Sequence, residues 1–126
     1  MQRLALVVED SHQFAATLEI ALESIPNLSL VYVADGEEAV RYLESRSGAQ
    51  VCALLTDLNM PKMNGFELIA WLRASKQHAS LPVIVLSGDA DPATPLRALQ
   101  LGANAFFAKP YSPAEVRTTL ERLLNV

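Results

Sequence analysis

The spacing of apolar residues constrains the fold of this chain more than any other feature. Five short apolar runs recur, at residues 4–8, 28–33, 51–55, 83–86 and 105–108. Each has the length of a β-strand and is rich in branched or aromatic residues. Such nearly continuous apolar runs are typical of strands that are buried on both faces of a sheet.

Stretches with apolar residues at helical spacing separate these runs, and another follows the last run. The first has Leu18, Leu22 and Ile25, and the last has Val116 and Leu120. Strands that alternate with helices indicate a parallel sheet with right-handed crossovers and helices on both faces. We therefore predict a doubly wound α/β fold in which five parallel strands are accompanied by five helices.

Local signals predict where several helices begin and end. A capping residue precedes a glutamate by three positions at Asp35 and Glu38, Asn64 and Glu67, and Ser112 and Glu115. Pro113 suits the first position of the last helix, and Gly48 and Gly102 are candidate helix ends.

The fourth helix has two competing start signals. A helix that began at Asp91 would contain Pro95, which lacks a backbone N–H and cannot form its hydrogen bond in a helix interior. We therefore expect this helix to start late or to be short.

Composition limits the kinds of partner. The 126 residues, 51% of them hydrophobic, are enough for one core, so we expect a single domain over residues 1–126. A formal net charge of −4 leaves no basic field that would gather nucleic acid or coat an anionic membrane, so direct binding to either is not expected. A protein or small-ligand partner fits the composition better.

The same sequence indicates a reducing, cytoplasmic location. Its single cysteine, Cys52, lies in an apolar run and has no second cysteine for an internal disulfide. The apolar start of the chain ends at Glu9 without a cleavage site, and no uncharged apolar stretch approaches the roughly 18 residues of a transmembrane helix.

Acidic residues follow the first and third predicted strands. Glu9 and Asp10 come directly after the first, and Asp57 comes after the third. If the strands lie in the order 2-1-3-4-5 of a flavodoxin-like sheet, as we expect, these two strands are neighbours, and the three carboxylates meet at the edge where open parallel sheets bind ligands. A cluster of hard oxygen ligands suits Mg²⁺ or a similar divalent cation.

Two further polar residues lie at the ends of the fourth and fifth predicted strands. Ser87 ends the fourth strand and offers a hydroxyl, and Lys109 ends the fifth and offers a point charge suited to a phosphoryl oxygen. Each residue alone has an ordinary alternative: the acidic pair as a turn or helix cap, Ser87 as a turn residue, and Lys109 as a surface charge. Their common placement at one edge favours phosphoryl transfer.

The motifs that contain these residues resemble the response-regulator receiver family over the whole chain. They are Glu9-Asp10, the string from Asp57 to Gly65 with Met60-Pro61 inside it, Ser87-Gly88, and Lys109-Pro110. The resemblance implies that Asp57 is the phospho-acceptor and that Asp10, Asp57 and the backbone carbonyl of Asn59 ligate Mg²⁺. It also implies that Glu9 orients metal-bound water.

The resemblance extends to the conformational response and to the partners. It implies that Ser87 and Lys109 bind the phosphoryl group, that the Lys109-Pro110 bond is cis, and that Phe106 rotates inward as a switch residue. A core role for Phe106 in both states is the alternative. The implied partners are a histidine kinase or phosphotransfer protein and a downstream output domain or protein. The implied role is a switch that catalyses its own phosphorylation and dephosphorylation.

One departure from the family pattern bears on dimer formation, and three other functions conflict with features of the sequence. The acidic pair that the winged-helix branch uses for dimer contacts is replaced by Asn104-Ala105, which leaves the oligomeric state open. A phosphatase with an aspartyl-phosphate intermediate usually has a second acidic residue two positions after the nucleophile, where this chain has Asn59, and a cap domain, for which 126 residues leave no room. A nucleotide-binding module would have a glycine-rich loop after the first strand. An unphosphorylated scaffold would have lost acidic or lysine positions that this chain retains.

Several conspicuous residues are assigned ordinary roles. His12 is interpreted as a surface residue at a helix start, and His78 as a loop residue. Trp71, Met60 and Met63 are interpreted as packing residues.

Overall fold

The computed structural model describes residues 3–9 and 12–126, and within them five parallel strands form one sheet in the order β2-β1-β3-β4-β5. The strands are β1 (Arg3–Val8), β2 (Leu28–Val33), β3 (Val51–Thr56), β4 (Val83–Ser87) and β5 (Ala105–Ala108). The α-helices are α1 (His12–Leu22), α2 (Gly36–Glu44), α3 (Gly65–Ala74), α4 (Thr94–Leu101) and α5 (Pro113–Leu124). The predicted fold class and strand order are confirmed.

Two apolar clusters cover the two faces of the sheet. Alternate residues of one strand point to opposite faces, so Leu6 and Val8 join the cluster beneath α2, α3 and α4. Ala5 and Val7 join the cluster beneath α1 and α5. All four are fully buried, because helices cover both faces of the sheet. This two-sided burial explains why the strand sequences are nearly continuous apolar runs.

The predicted helix starts at residues 36, 65 and 113 are confirmed. Asp35, Asn64 and Ser112 each accept a hydrogen bond from the backbone N–H three residues later, and Asn64 forms a reciprocal capping box with Glu67. Gly102 ends α4 in the left-handed region with φ 115°. The prediction for Gly48 is wrong: α2 ends at Glu44, and Gly48 lies inside a short 3₁₀ helix, Arg46–Gln50.

The start of α4 matches the expectation of a late and short helix. It spans 8 residues, its N-cap residue Ala93 offers no side-chain hydrogen bond, and Pro95 occupies the first turn. Only Thr94 and Ala98 are buried, whereas Leu96 and Leu99 are 61% and 46% exposed. This helix is therefore held by fewer local interactions than its neighbour α3.

The described helices are all too short or too polar to cross a lipid bilayer.

Candidate functional site

The site lies at the carboxyl edge of the sheet, where the strands deliver their next residues to one place. Val8 of β1 pairs with Thr56 of β3, so Glu9 and Asp57 emerge side by side. Ser87 of β4 pairs with Ala108 of β5, so Lys109 emerges next to Ser87. Parallel pairing therefore brings together residues that lie up to 100 positions apart in sequence.

Lys109 occupies the centre of this group. Its Nζ donates to Oε2 of Glu9 at 2.7 Å and to Oδ2 of Asp57 at 3.0 Å, and the three side chains are only 11%, 2% and 12% exposed. Burial by itself lowers the pKa of Lys109, but its hydrogen bonds and charge interactions with Glu9 and Asp57 outweigh burial and raise this pKa above its ordinary value. The ammonium is therefore held in its charged form.

Backbone groups orient the Asp57 carboxylate. Its Oδ1 accepts from the N–H of Leu58 at 2.6 Å and from the N–H of Asn59 at 3.3 Å. The Asp57 main chain is fixed as well, because its N–H donates to the Val8 carbonyl and the Thr56 hydroxyl donates to its carbonyl at 2.7 Å. One carboxylate oxygen thus faces backbone donors, and the other faces Lys109.

Ser87 is fully buried beside these groups. Its Oγ accepts from the N–H of Asp89 at 3.0 Å, and its carbonyl accepts from the Lys109 N–H at 2.8 Å. A serine hydroxyl that accepts one hydrogen bond still has its own O–H to donate. Ser87 therefore retains a donor at this edge.

Phe106 lies two strands away from Asp57, in the row of paired residues Thr56, Val85 and Phe106. It is half-buried and packs against the cluster beneath α2, α3 and α4. The Lys109-Pro110 peptide bond is cis, which confirms the form implied by the resemblance.

The predicted metal ligands are only partly within the described residues. Asp10 lies outside them, and the described residues contain no group of three histidine, cysteine or acidic side chains that would hold a metal ion. Glu9 and Asp57 nevertheless place two carboxylates around a single cation, and the donor set consists of oxygen atoms only. Their chemistry fits a hard divalent cation such as Mg²⁺.

Two residues near the site were not singled out in the sequence. Thr56 is fully buried, and its hydroxyl donates to the Asp57 carbonyl. Its position directly before Asp57 is the sequence feature that could have indicated this contact. Tyr111 is half-buried, and its burial, together with the nearby charge of Glu9, raises its pKa to about 12. Nothing in the local sequence pattern indicates this proximity.

Comparison with known proteins identifies the family of this chain. The model of the response regulator receiver domain matches residues 5–121. The chain belongs to this family. Receiver domains are regulators of two-component signalling and act as switches rather than as classical enzymes.

Relatives of this receiver domain differ in overall length. A chemotaxis protein CheY homolog of Campylobacter jejuni is 32% identical over 120 residues, which cover 95% of this chain and 91% of that protein. The alkaline phosphatase synthesis transcriptional regulatory protein PhoP of Bacillus subtilis is 28% identical over 125 residues, which cover 99% of this chain but 50% of that protein. Similar receiver domains thus occur in proteins of different size.

Solved receiver structures superpose closely on this one. The receiver domain of sensor histidine kinase PA1611 from Pseudomonas aeruginosa has a TM-score of 0.84 and 29% identity, covers 100% of both chains, and has a magnesium ion in its active-site cleft. A receiver domain of a signal transduction histidine kinase from Syntrophus aciditrophicus has a TM-score of 0.84 and 33% identity, with 98% of this chain and 90% of that chain covered.

Proposed function

We propose that this receiver domain is a phosphorylation switch that accepts a phosphoryl group on Asp57 with the help of Mg²⁺. The carrying observation is the buried contact of Lys109 with both Asp57 and Glu9 at the carboxyl edge of the sheet. A carboxylate oriented by backbone donors, next to a buried cation and a hydroxyl, is suited to receive a phosphoryl group.

The reaction proceeds at a carboxylate oxygen of Asp57. This oxygen attacks the phosphorus of a phosphohistidine, a P–O bond forms as the P–N bond breaks, and the imidazole leaves with the electron pair of that bond. The N–H groups of Leu58 and Asn59 hold Oδ1 during the attack. Bound Mg²⁺ would neutralise charge on the phosphoryl oxygens, held by Asp10, Asp57 and the Asn59 carbonyl, with Glu9 orienting its water.

The new charge then rearranges the site. A phosphoryl group carries about −1.5 to −2 charges at neutral pH, so it attracts the Lys109 ammonium away from Glu9. The Ser87 O–H turns to a phosphoryl oxygen, which leaves space beside Phe106. Phe106 is apolar, so its inward rotation buries ring surface without leaving a polar group unsatisfied.

The phosphodonor is a histidine kinase or a phosphotransfer protein, and the phosphorylated form controls a downstream output domain or protein. Residues 1–126 act as one domain in the cytoplasm. The same site hydrolyses the acyl phosphate and so resets the switch.

Phosphorylation of the purified protein tests this function. Acetyl phosphate and Mg²⁺ should add one phosphoryl group, which is lost in alkali because an acyl phosphate is hydrolysed there, and intact mass spectrometry detects the added mass. Asp57→Asn should remove labelling, because it replaces the nucleophile with a near-isosteric amide. Asp91→Asn is the matched control, since Asp91 is an exposed aspartate in the loop before α4.

Three outcomes would contradict the proposal. Labelling that persists in Asp57→Asn would place the acceptor elsewhere. Absence of labelling with acetyl phosphate and with phosphorylated histidine kinases would favour an unphosphorylated scaffold. Sustained release of phosphate from a small organic phosphate ester would favour the phosphatase alternative.

A further inference from the structure

A second cation, the half-buried Arg73 near the end of α3, connects three segments at the amino edge of the sheet. Its Nε and Nη2 donate to the Gly102 carbonyl at 3.1 and 2.6 Å. Its Nη1 donates to the carbonyls of Ala79 and Leu81 at 2.9 and 2.7 Å. One guanidinium therefore joins the end of α4 to the loop that leads into β4.

Asn104 extends this connection to the sheet. Its Oδ1 accepts from Arg73 Nη2 at 3.1 Å and from the Val83 N–H at 2.8 Å, and its own N–H donates to the Val83 carbonyl at 2.8 Å. The turn between α4 and β5 is thus tied to the start of β4. Asn104 therefore connects Arg73 to the first residue of β4.

The backbone at Gly102 makes this close approach possible. Its φ of 115° lies in the left-handed region, and a Cβ built there would be 2.8 Å from Arg73 Nε. The Gly102 N–H also closes the helix through the carbonyls of Ala98 and Leu99. A side chain at this position would strain the backbone and collide with Arg73.

At the opposite end of α4, no side chain of the described residues caps the helix, although Thr94 is buried. Ala93, its N-cap residue, has an αR backbone and no capping side chain, and Pro95 removes one N–H from the first turn. The contact of the Arg97 guanidinium with the Phe66 ring, 3.9 Å from its centroid, holds the helix nearer its middle. This N-terminal end of α4 follows the loop at residues 88–93, which connects it to Ser87 at the site.

We propose that Arg73 is a positioning residue that anchors the C-terminal end of α4, so that a conformational response of α4 is confined to its N-terminal half. The second part rests on the proposed function, because phosphorylation at the carboxyl edge supplies the perturbation. An 8-residue helix has little stability of its own, so the anchor decides which end yields.

Amide hydrogen exchange measured by NMR tests the anchor without any phosphodonor. In Arg73→Met the Gly102 and Ala103 amides should exchange at least about tenfold faster than in wild type, because several hydrogen bonds to a charged group are lost. Arg73→Lys, which keeps the charge but lacks the planar fork, should show a smaller increase. Arg122→Met, at an exposed arginine of α5, is the matched control and should leave these amides unchanged.

The amides of Leu6 and Val7 in β1 report global opening. If exchange at these β1 amides becomes faster by as much as exchange at Gly102 and Ala103 in both Arg73 variants, Arg73 contributes only to global stability. The proposal that Arg73 anchors α4 would then be wrong. If Arg73→Met does not fold, Arg73→Lys and Asn104→Ala replace it. Each of these variants should increase the exchange rates of the Gly102 and Ala103 amides more than those of the β1 amides. Unchanged exchange at Gly102 and Ala103 would overturn the proposal.

The response itself is measured with acetyl phosphate and Mg²⁺. Amide shift changes within α4 and the following turn should be confined to residues 94–98 in wild type and should extend to residues 102–104 in Arg73→Lys. Wild-type changes that are largest at residues 102–104 would overturn the confinement. If Asp57 takes no label, the proposed function and the confinement fail, whereas the exchange measurements still decide whether Arg73 is an anchor.

Discussion

Lys109 and Arg73 are two buried or half-buried cations at opposite edges of one sheet, and their partners differ in kind. Lys109 contacts two carboxylates, Glu9 and Asp57, at the carboxyl edge. Arg73 contacts three backbone carbonyls and the side-chain amide of Asn104 at the amino edge. One cation is therefore held by charge, and the other by neutral dipoles.

This difference separates an exchangeable contact from a permanent one. Carboxylates bind metal ions, gain protons and accept phosphoryl groups, so the partners of Lys109 can change with conditions. The backbone carbonyls that Arg73 contacts carry no net charge, and they neither gain protons nor accept phosphoryl groups in the physiological pH range. We therefore expect the Lys109 contacts to respond to metal and pH, and the Arg73 contacts to respond to neither.

The largest effect is expected for Arg73→Met. It removes a charged donor from the part-buried carbonyls of Gly102 and Leu81, and a hydrogen bond to a charged group contributes about 1.5–3 kcal/mol, so we expect the free energy of unfolding to fall by about 3 kcal/mol. Urea denaturation measures this fall, and added Mg²⁺ should not reverse it. Arg122→Met should stay within about 0.5 kcal/mol of wild type. A comparable fall in both variants would contradict the assigned role.

A smaller loss, with a different response to metal, is expected for Lys109→Met. The change leaves Glu9 and Asp57 near one another without their shared cation, so we expect a loss of about 1–3 kcal/mol at neutral pH. Mg²⁺ should restore much of it, because a ligand that binds only the folded state stabilises that state. If Mg²⁺ restored Arg73→Met equally well, the distinction between the two cations would fail.

Alkaline pH should lower the contribution of Lys109 to stability but leave that of Arg73 unchanged, because an arginine stays protonated in this range. The folded-state pKa of Lys109 is raised, so its stabilising contribution is complete below the ordinary lysine pKa of about 10.4 and is lost as pH rises through the higher folded value. Tyr32 and Tyr111, with pKa values raised to about 12, lower stability in the same window, because they ionise more readily when unfolded.

The comparison with Lys109→Met isolates the lysine contribution, since both tyrosines remain. Urea midpoints between pH 9 and 12 should fall more steeply for wild type than for Lys109→Met, on the order of a few tenths of a molar at most given typical denaturant slopes. Identical slopes would show that the carboxylate contacts do not raise the pKa of Lys109.

The smallest effect is expected for Asn104→Asp. The aspartate keeps an oxygen for Arg73 and for the Val83 N–H, and it adds a charge opposite the guanidinium. Exposed ion pairs contribute about 0.2–1 kcal/mol and are screened by salt, so we expect a gain of that size at low ionic strength that shrinks at high ionic strength. A loss of stability at low salt would contradict the geometry of this contact.

The two cations also differ in how far the sequence revealed them. Lys109 was identified because it follows a strand, and strand order alone predicts that such residues share one edge. Arg73 was not identified, because its partners are carbonyls that every residue has, up to 29 positions away. His78 was correctly placed in a loop, but its burial and its 3.1 Å contact with the Leu43 carbonyl had no local signal.

Helix ends show the same division on a smaller scale. Caps formed by side chains three residues apart, such as Asn64 with Glu67, were predicted because both partners lie within one helical turn. Gly48 was misjudged as a helix end because a glycine alone does not distinguish a helix end from a tight 3₁₀ turn. The late start of α4 was predicted because Pro95 restricts its own backbone wherever it lies.

The sequence by itself determined the strands, the fold class and the family, and it predicted four residues that the structure places at the carboxyl edge, which are Glu9, Asp57, Ser87 and Lys109. Periodicity, caps and strand-end positions depend on neighbours within a few residues or on the general rules of parallel sheets. Only the tertiary structure decided that Lys109 lies between Glu9 and Asp57, that Thr56 fixes the Asp57 carbonyl and that Arg73 holds the end of α4. These contacts depend on distances between segments far apart in the chain, which packing sets and local sequence does not encode.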